Sequence, residues 1–177
     1  PVGSVVVGSK VGYGQGRNLE LAMDRERQRR PFPEMVRYQD GCWHCIHPEF
    51  IADQLGRSLG RLRVQTVDVY LLHNPEYFFS DAVHHRGDEH LEDLRNEFYD
   101  RIRRAFVHLE EEVARGRIQY YGVSSNTFGS PLNDPEATSV ERMWTIASAI
   151  SAEHHFAVVQ LPANLFECRP ILLRNNR

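Results

Sequence analysis

The sequence lacks a long apolar run, an excess of basic residues and a secretory leader. No apolar stretch approaches the roughly 20 residues needed to cross a bilayer, and no charged and apolar signal segment is visible. The 21 Lys and Arg residues are outnumbered by 24 Asp and Glu residues, so the formal charge is −3. Nucleic acid and membrane surfaces attract basic proteins. These absences predict a soluble protein, cytoplasmic or organellar, with no nucleic-acid and no membrane partner.

The sequence is also poor in cysteine. The three residues Cys42, Cys45 and Cys168 do not make a disulfide framework. Cys42 and Cys45 lie beside His44 and His47, and thiolates with nearby imidazoles can hold zinc. A structural zinc site usually needs a second ligand pair at a distance, and Cys168 stands alone. Reduced cysteines leading into a helix are therefore favoured over a metal site.

A second histidine-rich patch lies near the middle of the chain. His84, His85 and His90 occur in a polar stretch with Asp and Glu. Short histidine tracts are often no more than loop surface. The patch is therefore interpreted as a solvated loop.

The length and composition fit one folded domain over residues 1–177. The chain has 41% hydrophobic and 25% charged residues, enough to bury a substantial core. No linker composition divides it.

Strand-like and helix-like segments alternate along the chain. The segment from Pro48 begins with proline at a plausible first helical position, and Gly116 supplies a stop signal after a long helical repeat. Two stretches have no clear period and are predicted as long loops, 14–41, with a helical turn around 19–29, and 74–92. This order predicts a parallel sheet with right-handed crossovers. The predicted strands are 5–9, 67–72, 118–123 and 156–161, and the predicted helices are 48–62, 94–113 and 139–152.

Polar side chains recur where these strands end. In parallel α/β proteins the carboxyl ends of the strands carry the chemistry, because the loops there vary while strands and helices hold the geometry. The strand ends are therefore the predicted site. The side chains concerned are Lys10, His73, Ser124, Ser125, Asn126 and Gln160.

Five segments resemble the aldo-keto reductases in sequence, order and spacing. The resemblance covers nearly the whole chain, and the two long loops look like elaborations on it. The segments are Val6–Gly12, Gln54–Leu62, Val67–Pro75, Gly116–Asn126 and Val159–Leu165.

The resemblance implies an α/β fold, a partial (β/α)8 TIM barrel of the aldo-keto reductase type with about four βα units and enlarged loops. It also implies an enzyme that moves a hydride from the nicotinamide of NADPH, or NADH, to an aldehyde or ketone. The expected cofactor is thus NADPH or NADH, and the expected partner is a small-molecule carbonyl substrate.

The family's catalytic set is an Asp, a Tyr, a Lys and a His from different strand ends. Lys10 matches the lysine, whose charge lowers the pKa of the tyrosine proton donor, and His73 matches the histidine that orients and polarises the carbonyl oxygen. The family's Asp and Tyr lie upstream of the lysine strand, whereas the chain begins a few residues before Lys10. Tyr13 follows the lysine strand and does not match the family's tyrosine.

Cofactor contacts are implied at two further strand ends. Ser124, Ser125 and Gln160 fall where the family hydrogen-bonds the nicotinamide carboxamide. Many members have Asn directly after the first Ser, but here Ser125 intervenes and displaces Asn126 by one position. Both Ser125 and Asn126 therefore stay candidates for this contact.

A full barrel takes roughly 250 residues, so this chain is expected to hold four of the eight strands. An open half-barrel would expose edge strands and inward-facing apolar side chains.

Each site residue also has an ordinary explanation: a solvated lysine, a core histidine, or a glutamine that satisfies backbone groups at the rim. Two functions stay open: an NAD(P)H-dependent carbonyl reductase within a longer parent chain, or a non-catalytic binding or regulatory module or inactive fragment. The substrate cannot be inferred, because specificity in such barrels lies largely in loops.

Overall fold

The computed structural model describes residues 5–86, 91–131 and 133–172. Its main feature is a parallel sheet that helices cover on one face. The strands are β1 (Gly8–Val11), β2 (Tyr13–Gly14), β3 (Val36–Gln39), β4 (Cys42–His44), β5 (Val67–His73), β6 (Ile118–Ser124) and β7 (Phe156–Gln160). The helices are α1 (Arg17–Arg27), α2 (Pro48–Leu62), α3 (Tyr77–Arg86), α4 (Leu91–Ala114), α5 (Val140–Ile150) and α6 (Arg169–Leu172).

The main sheet has the strand order β1-β5-β6-β7, and every pairing in it is parallel. The register aligns Lys10 of β1 with Leu71 of β5, and Leu71 with Gly122 of β6. All carboxyl ends of these strands therefore lie at one edge. The α/β partial-barrel prediction is confirmed, and the sheet in the described ranges does not close into a barrel.

Helix α2 shows why the predicted helices form where they do. Pro48 occupies the first turn, where its missing N–H removes no helical hydrogen bond. The His47 Nδ1 accepts a hydrogen bond from the Glu49 N–H over 3.3 Å and caps the helix. Arg63, in the left-handed conformation with φ 55°, ends it. These signals set both ends of the helix.

The core lies between the main sheet and its covering helices. Tyr70 and Tyr121 are buried on that face of the sheet, and the Tyr121 and Phe106 ring centroids lie 5.0 Å apart. The opposite face has no helical layer in the described residues, and Tyr120 on this face is 47% exposed. This face would be the interior of a complete barrel.

The prediction of an extended loop over 14–41 was wrong. This stretch contains α1 and, with the residues around it, a three-stranded antiparallel sheet of order β2-β4-β3. In this sheet His44 pairs with both Tyr13 and Val36. Strands of two to four residues are too short to show an alternating pattern, so their pairing depends on tertiary contacts. The helical turn expected around 19–29 is a full helix that starts at Arg17.

The prediction of a loop over 74–92 was also wrong in part, because α3 occupies Tyr77–Arg86. Phe78, Phe79 and Ala82 of this helix are buried. His85 is exposed on the helix rather than in a loop, while the side chain of His84 and all of His90 lie outside the described residues. Apolar residues in adjacent positions gave α3 no clear helical period.

The first strand is Gly8–Val11 instead of the predicted 5–9, so Lys10 lies within the strand. Across the described ranges, no helix combines the length and the apolar character that a bilayer crossing requires.

Candidate active site

The side chains of Lys10 and Ser124 meet near the carboxyl edge of the main sheet. The Lys10 Nζ donates a hydrogen bond to the Ser124 Oγ over 3.4 Å. Ser124 is the register partner of both His73 and Gln160. Lys10 and Gln160 line the same cavity of about 260 Å3. The structure therefore brings together four of the residues that the sequence predicts, each from a different strand.

His73 is half-buried at the end of β5. Burial lowers the pKa of its imidazole, and the positive charge of Lys10 lowers it further. Both effects favour the neutral ring at neutral pH. A neutral imidazole keeps one N–H donor, so it can hydrogen-bond a carbonyl oxygen without carrying a charge.

Tyr13 packs against His73 although it does not match the family's tyrosine. The two rings meet edge to face with centroids 4.8 Å apart. The Tyr13 hydroxyl oxygen accepts a hydrogen bond from Asn74 Nδ2 over 2.7 Å. Burial raises the pKa of the Tyr13 phenol, so it stays protonated. The neutral Tyr13 ring therefore lies against one side of the His73 ring.

His44 contacts the main chain of His73. Its Nε2 lies 2.7 Å from the carbonyl oxygen of His73. His44 is only 1% exposed, and burial lowers its pKa to about 4. The small sheet that carries His44 thus contacts the end of β5 directly.

Cys42 and Cys45, which lie on either side of His44, each contact a polar group of another residue. The Cys42 Sγ accepts a hydrogen bond from Gln15 Nε2 over 3.1 Å, and the buried Cys45 Sγ contacts the carbonyl oxygen of Pro33 at 3.4 Å. Burial raises the pKa of the Cys45 thiol to about 12, so the thiol stays protonated. Among residues 5–86, 91–131 and 133–172, no group of three His, Cys, Asp or Glu side chains is arranged to hold a metal ion.

The loop after β6 places Ser125 and Asn126, the two candidates for the carboxamide contact, in different environments. The Ser125 side chain is buried, and its hydroxyl hydrogen-bonds the Thr138 hydroxyl over 3.0 Å. It also accepts the Thr127 N–H at 3.1 Å. The Asn126 side chain is exposed. Of the two, Asn126 is the one whose side chain solvent can reach.

Main-chain hydrogen bonds hold this loop against its neighbours. The Asn74 N–H donates to the Ser124 carbonyl over 2.7 Å, and the Ser125 N–H donates to the Gln160 carbonyl over 3.0 Å. The Asn126 N–H donates to the Glu76 carboxylate at 2.8 Å. Glu76 is buried, and nothing in the sequence pattern indicated that it would reach this loop.

The sequence matches the aldo/keto reductase family model over residues 4–171. This match covers most of the chain and decides its relationship. The chain belongs to the aldo/keto reductase family. The resemblance drawn from five segments is thereby confirmed.

Three solved structures resemble this aldo/keto reductase chain. A glycerol dehydrogenase from Gluconobacter oxydans is 24% identical, with a TM-score of 0.44, over 71% of this chain and 27% of that one. An aldo-keto reductase from Bacillus halodurans in its holo form is 22% identical, with a TM-score of 0.37, over 71% and 28%. A protein from Pseudomonas aeruginosa described as an aldo-keto reductase is 14% identical, with a TM-score of 0.40, over 93% and 54%.

The chain thus spans 27% to 54% of the length of these three solved chains. The comparison with curated proteins found no match. Aldo/keto reductases are oxidoreductases that generally use nicotinamide cofactors.

Proposed function

We propose that this chain forms part of an NAD(P)H-dependent oxidoreductase that reduces aldehydes or ketones to alcohols. The observation that carries the proposal is the 3.4 Å contact between Lys10 and Ser124, with His73 in register beside it. Strand ends far apart in sequence bring together a cation, a neutral imidazole and a hydroxyl. A carbonyl reductase needs such groups around the oxygen that gains negative charge.

The residues along this edge fit a nicotinamide ring. Asn126 and Gln160 have exposed amide side chains that can both donate to and accept from a carboxamide. We assign the carboxamide contacts to Ser124, Asn126 and Gln160. Ser125 is the weaker candidate because its hydroxyl is buried and bonded to Thr138. When bound, the dihydronicotinamide supplies the hydride.

His73 and Lys10 have separate roles in this proposal. The neutral His73 ring donates its N–H to the substrate carbonyl oxygen and so orients and polarises it. The ammonium group of Lys10 lowers the pKa of a tyrosine proton donor, which the parent polypeptide supplies. Tyr13 does not take this part, since its hydroxyl is bonded to Asn74 and burial raises its pKa.

The test is a fluorescence titration of the purified chain with NADPH and, in parallel, with NADH. We expect saturable quenching that weakens in Gln160→Ala and in Asn126→Ala. The matched control is Gln119→Ala, an exposed glutamine near the amino end of β6, which should leave binding unchanged.

Circular dichroism of every variant shows whether it is folded. A folded chain that quenches with neither cofactor would contradict the proposal and favour a non-catalytic binding or regulatory module, or an inactive fragment. Equal weakening by all three substitutions would also contradict the assigned contacts.

A further inference from the structure

The hydrogen bond between His44 and His73 defines which nitrogen of His44 carries a proton. A carbonyl oxygen only accepts hydrogen bonds, so the Nε2 at 2.7 Å from the His73 oxygen must be the donor. The pKa of about 4 keeps the ring neutral at neutral pH, which leaves Nδ1 unprotonated. His44 therefore has a defined tautomer in the folded chain.

His44 cannot act on a substrate directly. Only 1% of it is exposed, and its ring packs edge to face with Tyr13 and at a tilt with Tyr77, with centroids 5.7 Å away in each case. Its contact with the site is the main chain of His73. Any effect on the site must pass through that residue.

Gly12 leaves the space that this contact needs. A Cβ on Gly12 would lie 2.5 Å from the His73 carbonyl oxygen and 2.6 Å from the His44 Nε2. The Gly12 carbonyl accepts the Cys45 N–H over 2.8 Å, which fixes the chain just after His44. The missing side chain at Gly12 and this hydrogen bond together allow β4 to lie close to the end of β5.

The peptide after His73 has an unusual conformation. Asn74 has a φ of 49°, in the left-handed region that asparagine tolerates better than most residues. Its N–H donates to the Ser124 carbonyl and its side chain donates to the Tyr13 hydroxyl. The orientation of the peptide between His73 and Asn74 therefore affects both His73 and the loop after β6.

We propose that His44 is a positioning residue for His73. Its Nε2–H holds the His73 carbonyl, which fixes the direction of the following peptide and keeps the His73 ring between Lys10 and Tyr13. This inference rests on the proposed function, because that function gives His73 its role at the substrate carbonyl. The charged or titratable groups that face the pair are Lys10 on β1, Tyr13 on β2, Tyr77 on α3 and Arg101 on α4.

The first measurement uses the unaltered chain. Long-range 1H–15N spectra report the tautomer of each histidine ring. We expect His44 to be protonated on Nε2 alone and to stay neutral down to about pH 4. A ring protonated on Nδ1 alone, or one that titrates like an exposed histidine, would overturn the proposal.

The second measurement compares substitutions at His44. His44→Phe keeps an aromatic ring without a donor, whereas the amide of His44→Gln can still donate to the carbonyl. In His44→Phe we expect the pKa of His73 to move toward its ordinary value, and the Asn74 amide hydrogen to exchange roughly tenfold faster, as expected for the loss of one hydrogen bond. His44→Gln should restore most of the wild-type His73 pKa and of the wild-type exchange rate of the Asn74 amide.

Cys42→Ala serves as the control for packing, since Cys42 is a buried residue of the same strand whose sulfur accepts a hydrogen bond from Gln15. It should leave the His73 titration unchanged. If His73 titrates alike in the wild type and a folded His44→Phe chain, the proposal is wrong. These spectra need no cofactor, so a failure to bind NADPH would count against the proposed function and not against the role of His44.

Discussion

Glu76 is a buried acid whose charge state should influence both the stability of the chain and the loop after β6. It is 2% exposed, and its Oε1 accepts the Asn126 N–H at 2.8 Å. Burial raises its pKa, and this effect outweighs the lowering by the hydrogen bond. Because the folded-state pKa is raised, the stabilising contribution is complete below the ordinary glutamate pKa and is lost as pH rises through the raised value.

Glu76→Gln should therefore stabilise the chain at neutral pH. Glutamine keeps an oxygen that can accept the Asn126 N–H and has no charge to bury. We expect the free energy of unfolding at pH 8 to rise by about 1 to 3 kcal/mol, the usual range for relieving an incompletely satisfied buried polar group. Urea unfolding at pH 4, 6 and 8 measures this.

The difference between wild type and Glu76→Gln should shrink toward pH 4, where the wild-type carboxyl is protonated. Glu49→Gln is the control, because Glu49 is an exposed carboxylate paired with Arg25 at 3.3 Å, and losing such a surface charge should change stability little at any of these pH values. A Glu76→Gln chain that is less stable than wild type at pH 8 would show that the folded structure requires the charge.

At the scale of secondary-structure elements, the pairing of β6 with β7 depends on the absence of a side chain at Gly122. A Cβ built there would overlap the carbonyl oxygen of Val158, and it would also approach Leu71 Cδ2 to 3.0 Å. The Val158 carbonyl belongs to the paired strand and cannot rotate away as a side chain could. Any larger residue must therefore separate the two strands.

Gly122→Ala should lower the free energy of unfolding by roughly 2 to 3 kcal/mol, the upper part of the range for overpacking, because the clash is with backbone. Gly60→Ala is the matched control. Gly60 lies on α2 with open space around its Cβ position, so alanine there should stabilise by about 0.5 to 1 kcal/mol. Chemical unfolding of both variants measures the contrast. Equal effects at the two glycines would contradict the close approach of β6 and β7.

The long elements were predictable from sequence because periodicity and end signals repeat within them. Helix α2 was predicted over 48–62 and forms at Pro48–Leu62, and the strand predicted over 118–123 forms at Ile118–Ser124. β2 and β4 were not predictable, because two or three residues show no period. Their pairing is decided by contacts such as Tyr13 with His44.

The candidate site divides in the same way. Lys10, His73 and Gln160 follow strand runs that the sequence shows and match a family pattern. His44 and Glu76 reach the site only through tertiary contacts, with the His73 carbonyl and the Asn126 N–H. A sequence carries no direct signal for a hydrogen bond between a side chain and a distant main chain. These two residues could be found only from the fold.

At the scale of the whole molecule, the described sheet is covered on one face and open on the other. β1 and β7 are its outer strands in the described ranges. The open face exposes apolar atoms, among them the Tyr120 ring on β6. Open strand edges and exposed apolar faces favour association between chains.

We therefore expect this chain alone to associate through its open face, with weight-average mass rising over micromolar concentrations. Tyr120→Lys places a charge on that face and should lower the association. Trp144→Lys is the matched control, because Trp144 is an aromatic residue of similar exposure, 55% against 47%, but lies on α5 at the outer surface. Sedimentation velocity over a dilution series measures all three chains. If only Trp144→Lys reduced the association, the contact would be on the helical surface, and a wild-type chain that stays monomeric throughout would show that the open face does not mediate association.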